Sequence, residues 1–149
     1  MLDQKWCSRI GMRTPVKFGL HLISLLIDDY DEAIGYYTEV LGFRLYEDTE
    51  LGDGKRWVVV GPPEDEGARL LLAQAKNDVQ KSAIGHQSGG RVFLFWNVRN
   101  FDAVVARLES AKVHFERPAH EAPYGRVAVF RDKYGNLWDL IQPNLDYNP

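Results

Sequence analysis

The chain has 149 residues, of which 45% are hydrophobic and 26% are charged, and its net charge at pH 7 is −3. These values are typical of one compact soluble domain, and they argue against a surface for nucleic acid or for anionic lipid. The single cysteine, Cys7, excludes an internal disulfide bond, and no apolar run approaches the roughly 20 residues that a membrane-spanning helix needs. We therefore expect a cytoplasmic protein that has neither nucleic acid nor a membrane as a partner.

Residues 1–16 are predicted to be a tail outside the domain. They carry no periodic apolar pattern, so we expect residues 1–12 to be dispensable, and Met12 could be the natural start. Trp6 is the one large anchor that could hold the tail against the domain. Charged side chains interrupt every stretch that could form the apolar core of a signal peptide, namely Asp3, Lys5, Arg9 and Arg13.

The first half of the chain predicts a strand, a helix and three further strands. Residues 16–27 alternate between two faces, as a strand does. Asp29 followed by Glu32 is typical of a helix start, and Gly42 suits the residue that ends such a helix. Between these points, apolar side chains recur at helical spacing and form one stripe along the helix: Tyr30, Ala33, Ile34, Tyr37 and Leu41. Three strands follow, at residues 43–51, 56–61 and 68–73.

The second half repeats this order after a polar segment, residues 76–90, which is predicted to be a linker. At a constant offset of 71 positions, Asp29 matches Asn100 and Tyr37 matches Leu108. The chain is therefore predicted to be a single α+β domain, residues 17–144, made of two tandem βαβββ modules at about residues 17–75 and 91–143. The second module contains a strand at 92–98, a helix opened by Asn100, a short strand at 113–116, and strands at 125–131 and 137–142 joined by a turn at 132–136.

Three segments resemble the glyoxalase/bleomycin-resistance/dioxygenase superfamily, also called the vicinal oxygen chelate superfamily. They read DYDEAIGYYTEVLGF after the first strand, RWVVVGPP in the middle, and YGNLWDLIQP at the end, and the resemblance covers about residues 17–143. It implies that the two modules build a curled mixed sheet whose concave face is a cup for a small organic molecule. It does not fix the activity, because this superfamily spans isomerases, dioxygenases, epimerases, thiol transferases and non-catalytic drug binders.

The resemblance also implies where a metal would be held, on the first and last strands of each module. Those positions are Leu22 and Leu71 in the first module, and Phe93 (in some members Arg91) and Asp139 in the second. Leucine and phenylalanine have no lone pair to donate, and an arginine stays cationic. One carboxylate does not hold a catalytic divalent ion, which takes about three protein ligands. We therefore expect no cofactor, and a divalent metal only at a displaced site.

The sequence does not identify a catalytic residue, and Asp139, His120 and His21 are the candidates. Asp139 lies between apolar neighbours on a strand, where an unpaired carboxylate is costly to bury, so it belongs to an ion pair, with Arg91, or to a polar site. His120, near the rim of the cup, and His21, on the first strand, are candidates for acid–base catalysis. A solvated loop is the preferred interpretation of His120, and His21 faces away from the cup unless a one-residue bulge turns it inward.

Strand alternation predicts the residues that line the cup. The alternative is that these side chains fill a closed core in which Asp139 pairs with Arg91, and the pattern does not decide which face of the strand with Trp57 looks inward. The predicted ligand-binding residues are Leu22, Ser24, Leu71, Arg91, Phe93, Phe95 and Asp139.

The sequence therefore predicts a small-molecule-binding protein of the glyoxalase/bleomycin-resistance type, without the usual complete metal site. The alternative is a metal-dependent enzyme of the glyoxalase or dioxygenase type that uses a displaced site, and a third hypothesis is a dimeric accessory protein without a ligand. We expect a homodimer, because sheet edges need cover and because members of this superfamily commonly pair modules between chains.

Overall fold

A computed structural model of the protein describes residues 18–63 and 67–146. The predictions about the tail, including those for Trp6 and Met12, lie outside the described residues. No helix within the described ranges is long and apolar enough to cross a membrane.

The first module forms one four-stranded mixed sheet. Its strands stand in the order β1-β4-β3-β2, with β1 parallel to β4 and the other neighbours antiparallel. The elements in chain order are β1 (Leu22–Ile27), α1 (Tyr30–Gly35), which continues as a π-helical turn (Tyr36–Val40), β2 (Arg44–Gly52), β3 (Lys55–Gly61) and β4 (Arg69–Gln74).

The second module follows a short helix, α2 (Asp78–Ala83), and repeats the same design. Its sheet has the order β5-β8-β7-β6, again with one parallel pair, β5 with β8. The elements are β5 (Val92–Asn97), α3 (Phe101–Ser110), β6 (His114–Ala122), β7 (Gly125–Arg131) and β8 (Leu137–Pro143). The α+β class and the two tandem modules are thus confirmed, and the two sheets do not close on each other.

Both predicted helix starts are confirmed by their capping bonds. The backbone N–H of Glu32 donates to the Asp29 carboxylate at 2.9 Å, and the N–H of Ala103 donates to the Asn100 side chain at 3.2 Å. Each side chain satisfies a backbone donor that the first helical turn leaves free. Gly42 takes a φ of 78°, the left-handed conformation that ends the first helical segment.

Two predicted strand boundaries are wrong. The first strand begins at Leu22 rather than at residue 16. The segment predicted to be a linker contains α2, whose cap is Asn77. The strand predicted at residues 113–116 extends to Ala122, because β6 is an edge strand whose bulges accommodate Pro118.

The linker is fixed to both modules. The Gln87 side chain accepts from the N–H of Leu26 at 2.8 Å and donates to the carbonyl of Ser24 at 3.2 Å, along the outer edge of β1. Gly85 has a φ of +73°, and a Cβ at this position would collide with the carbonyl oxygen of Tyr134. The linker therefore sits in contact with β1 and with the last turn of the second module.

That turn is built around a buried carboxylate. Asp132 is 5% exposed, and it accepts from the Tyr37 hydroxyl at 2.8 Å, the Trp138 indole at 3.0 Å and the Asn136 side chain at 2.9 Å. It also accepts from the backbone N–H groups of Tyr134 and Asn136. Burial and the neighbouring Asp132 charge raise the pKa of Tyr37 well above its ordinary value, so Tyr37 remains the donor. Because Tyr37 belongs to the first module, this network joins the two modules.

The core lies on the helix side of both sheets and is shared between the modules. The Phe43 ring packs against Trp96 at 4.9 Å and against Trp138 at 5.8 Å between centroids. Leu25 and Ile27 face this core and are fully buried, whereas Ser24 is exposed on the other face of β1. We call the side of each sheet that faces away from the helices its open face.

Candidate functional site

Strand register places four side chains in a row across each open face. β2 carries a bulge between Leu45 and Glu47 and β6 carries one between Phe115 and Arg117, directly before the outer member of each row, so the two rows are built alike. The first-module row is Ser24, Leu71, Val59 and Glu47. The second-module row is Phe95, Asp139, Val129 and Arg117.

The register also assigns the face of Trp57, which the sequence left undecided. Val59 pairs with Leu71, and alternation puts Trp57 on the same open face. Val58 and Val60 point the other way and are fully buried in the core. The first-module open face therefore presents an indole ring beside its aliphatic side chains.

Some apolar side chains of the open faces are accessible in the single chain, whereas Val59 and Val129 at the centres of the two rows are buried. Phe95 is 67% exposed, and Leu22, Leu71 and Phe93 are half-buried. Phe95 therefore does not lie in a closed core of the single chain. An exposed aromatic ring on a sheet face is typical of a surface that another molecule covers.

Asp139 carries the most unusual polar atom of the open faces. Its Oδ1 is buried and has no hydrogen-bond partner, and the residue lies between Phe95 and Val129. Burial raises the pKa of its carboxyl group, while the charges of Arg117 and His120 act in the opposite direction. A buried acceptor without a partner costs free energy, which a ligand that donates a hydrogen bond would recover.

The predicted ion pair between Asp139 and Arg91 is wrong. Arg91 is exposed and precedes β5, and Asp139 lies level with Phe95, four residues further on. With the bulge between Val92 and Leu94, the backbone positions of Arg91 and Phe95 lie roughly 10 Å apart along the strand, at about 3.3 Å per residue. Among the ion pairs of the described residues, none joins Arg91 to Asp139.

The histidine candidates differ in where the fold puts them. His120 is exposed on β6 next to Arg117, its Nδ1 lies 3.0 Å from the Pro118 carbonyl, and its charge acts on Asp139. His21 is exposed just before β1, where its carbonyl accepts from the backbone N–H of Arg69, and no bulge interrupts the pairing of β1 with β4. The structure thus brings together Asp139, His120, Phe95 and a residue that sequence reasoning missed, Arg117. Sequence reasoning missed Arg117 because it predicted too short a β6.

The donor atoms present do not fit the metal of the superfamily's enzymes. Three of its usual positions carry the hydrocarbon side chains of Leu22, Leu71 and Phe93, and Asp139 alone offers oxygen ligands. Within residues 18–63 and 67–146, no three His, Cys, Asp or Glu side chains lie close enough to hold a metal ion. The residues at these positions therefore do not fit a catalytic metal, which takes about three protein ligands.

Comparison with known proteins agrees with the fold. Residues 19–140 match the model of the Glyoxalase/Bleomycin resistance protein/Dioxygenase superfamily. An uncharacterised protein of Shewanella frigidimarina is 51% identical over 123 residues, which are 82% of this chain and 91% of that protein.

Two crystal structures are similar to the whole domain. UcmS2 is 28% identical with a TM-score of 0.71, and the match covers 85% of this chain and 98% of that one. TnmS3, an antibiotic-binding protein from Streptomyces sp. CB03234, is 27% identical with a TM-score of 0.68, and the match covers 88% of this chain and 100% of that one. Together with the repeated βαβββ modules, the family match shows that this chain belongs to the Glyoxalase/Bleomycin resistance protein/Dioxygenase superfamily.

Proposed function

We propose that this protein binds a small organic molecule on its open faces, without a resident metal. The observation that carries the proposal is the pairing of an exposed ring, Phe95, with a buried carboxylate oxygen of Asp139 that has no partner. Apolar area beside a few fixed polar atoms is the usual composition of a ligand site. The similarity to TnmS3, an antibiotic-binding protein, supports the same function.

The binding site is completed by a second copy of the chain in a homodimer. One open face contacts a ligand from one side only. The first-module face of one copy, packed against the second-module face of the other, would enclose a cup. The outer ends of the two rows support this pairing, because Glu47 and Arg117 occupy equivalent positions and carry opposite charges. The apolar surface around Phe95 would also lose its contact with water.

The ligand is predicted to be a flat, mostly apolar molecule with a hydrogen-bond donor. Trp57 and Phe95 offer ring surfaces on the two open faces, and aromatic stacking favours planar ligands. The Asp139 oxygen requires a hydroxyl or an ammonium group opposite it. Such a ligand fits a cytoplasmic protein that sequesters a drug or a metabolite.

The test is equilibrium binding of two antibiotics by fluorescence titration. Doxorubicin presents a planar ring system with an amine, and bleomycin tests the activity that the superfamily name suggests. We expect Phe95→Ala and Asp139→Leu each to weaken the antibiotic that binds by roughly tenfold, since each removes one of the two groups in the proposal. His86→Ala is the matched control, because His86 is exposed in the linker. Binding that neither variant weakens, or no binding of either antibiotic, would contradict the proposal.

A metal-dependent enzyme is the second candidate, and Asp139 is the observation that favours it. Its free oxygen occupies the one usual ligand position that carries a ligand type in this chain. Metal analysis of protein purified without chelator separates the candidates. Near-stoichiometric zinc, nickel, manganese or iron that disappears in Asp139→Ala would favour the enzyme and contradict the metal-free binding protein.

A further inference from the structure

Two opposite charges share a row of the second-module open face without forming a bond. Asp139 on β8 and Arg117 on β6 flank Val129 on β7, and two strand spacings of about 4.8 Å separate their backbones by roughly 10 Å. No ion pair of the described residues joins these two side chains. Burial raises the pKa of Asp139 and the Arg117 charge opposes that rise, so the two groups act on each other through space.

The carboxylates of β6 are already bound to other arginines. Glu116 lies 3.0 Å from the Arg131 guanidinium, and Glu121 lies 3.2 Å from the guanidinium of Arg126. In the part of the chain that the structure describes, which includes all of β6 and β7, no ion pair involves Arg117. The exposed Arg117 guanidinium therefore keeps its donors for another molecule.

The first module has neither of these charges in the equivalent row. The repeat keeps the central valine, Val59, and changes both of its neighbours, since Leu71 corresponds to Asp139 and Glu47 corresponds to Arg117. An acceptor and a cation on the two sides of one valine are thus a property of the second module.

Apolar side chains border this pair of charges. Phe95 is the next member of the row beyond Asp139 and is 67% exposed. The half-buried Ile141 and the exposed His120 belong to the next row of the same face. The charge of His120 acts on Asp139 in the same direction as that of Arg117, so this end of the face is positive when the ring is protonated.

We propose that the ligand of this face carries an acidic group as well as a hydrogen-bond donor, at opposite ends of a flat apolar body. The donor would meet Oδ1 of Asp139, and a carboxylate would meet the Arg117 guanidinium, which binds such groups through paired N–H donors. This ligand class rests on the proposed function, to which it adds the acidic group and the residue that selects it.

The proposed dimer leaves donors of Arg117 for the ligand. A guanidinium has five N–H donors, and one carboxylate takes two of them in a bidentate pair. Arg117 can therefore contact Glu47 of a second copy on one side and an acidic ligand on the other.

The test uses three fluorescent naphthalenes that differ only in their polar groups. 6-Hydroxy-2-naphthoate carries the donor and the acid at opposite ends, 2-naphthol carries the donor alone, and 2-naphthoate carries the acid alone. In equilibrium titrations of the full-length chain, we expect 6-hydroxy-2-naphthoate to bind roughly tenfold more tightly than either of the others, because each polar group finds its own charged partner.

Variants then assign each polar group to its partner. Arg117→Gln should weaken 6-hydroxy-2-naphthoate roughly tenfold and leave 2-naphthol unchanged, and Arg117→Lys should recover part of the loss because the charge is kept. Asp139→Leu should weaken 2-naphthol but not 2-naphthoate. Lys81→Gln is the matched control, because it removes the same charge from an exposed position on α2, outside both sheets, and it should change none of the three affinities.

Three results would overturn the proposed ligand class and leave the proposed function standing. The first is 2-naphthol binding that depends on Asp139 but gains nothing from an added carboxylate. The second is a carboxylate gain that Arg117→Gln leaves unchanged, as expected if Glu47 of a second copy occupied the guanidinium. The third is an antibiotic that binds through Asp139 while none of the naphthalenes binds. If no antibiotic and no naphthalene binds, both the ligand class and the proposed function are wrong.

Discussion

Replacing Asp132 by asparagine tests the carboxylate network that joins the modules. The carboxylate accepts from Tyr37, Trp138 and Asn136 side chains and from two backbone N–H groups, and all of these partners are donors. An amide keeps the shape but turns one acceptor oxygen into a donor, so at least two donors lose their partner. At about 1–3 kcal/mol for each unsatisfied buried group, we expect Asp132→Asn to cost about 3 kcal/mol of unfolding free energy.

Tyr37→Phe separates the charge network from the packing. The ring contacts of Tyr37 with Phe43 and Trp138 remain, and only the 2.8 Å bond to Asp132 is lost. Asp132 keeps its other donors, so the expected cost is about 1.5 kcal/mol, the lower end for a hydrogen bond to a charged group.

The assay is urea unfolding followed by tryptophan fluorescence, at one fixed protein concentration because dimerisation would shift the midpoint. Asp31→Asn is the matched control, since the Asp31 side chain is 81% exposed and its ion pair with Arg56 contributes at most about 1 kcal/mol. If Asp132→Asn were no more destabilising than Asp31→Asn, the network would not hold the modules together and the argument would fail.

Three further predictions concern the open faces and the tail. Light scattering at micromolar concentration should give twice the 17.1 kDa mass of one chain, and a mass near one chain would contradict the dimer. Burial raises the pKa of Asp139, which means that the ionised side chain destabilises the folded state. The stability that the protonated side chain contributes is fully present below the pKa of the unfolded chain, near 3.8. This stability is lost as the pH rises through the higher pKa of the folded protein. Asp139→Asn should therefore unfold at a higher urea concentration than the parent at pH 7, and at the same concentration as the parent below pH 3.8. Arg91→Met should hardly change the unfolding midpoint. A lower midpoint for Asp139→Asn at pH 7 would refute this prediction. Deleting residues 1–12 should leave the melting temperature unchanged, and a loss of several degrees would show that Trp6 docks on the domain or across the dimer.

Local signals in the sequence predicted most of the fold. The helix caps at Asp29 and Asn100 depend on neighbours three residues away. The alternation in β1 depends on residues two positions apart. Both signals can therefore be read without tertiary information. The same reasoning failed for β6, where bulges and Pro118 interrupt the alternation on which a strand prediction rests.

The candidate site was less predictable because it depends on register. Asp139 was identified as a costly carboxylate from its neighbours alone, but its partner was misjudged since the bulge after Val92 cannot be read from the sequence. Arg117 enters the row of Asp139 only through pairing across three strands. The contact of Arg107 with Gly42 joins two modules and has no sequence signal at all.

The Gln87 side chain has a consequence for how the protein behaves when concentrated. β1 is an edge strand, and an edge with free N–H and carbonyl groups can recruit strands from other molecules into growing aggregates. Gln87 already occupies the N–H of Leu26 and the carbonyl of Ser24, which point outward from that edge. The Gln87 amide thus blocks the pairing of further strands with this edge. A Gln87→Ala protein should therefore fold but precipitate sooner than the parent on prolonged storage.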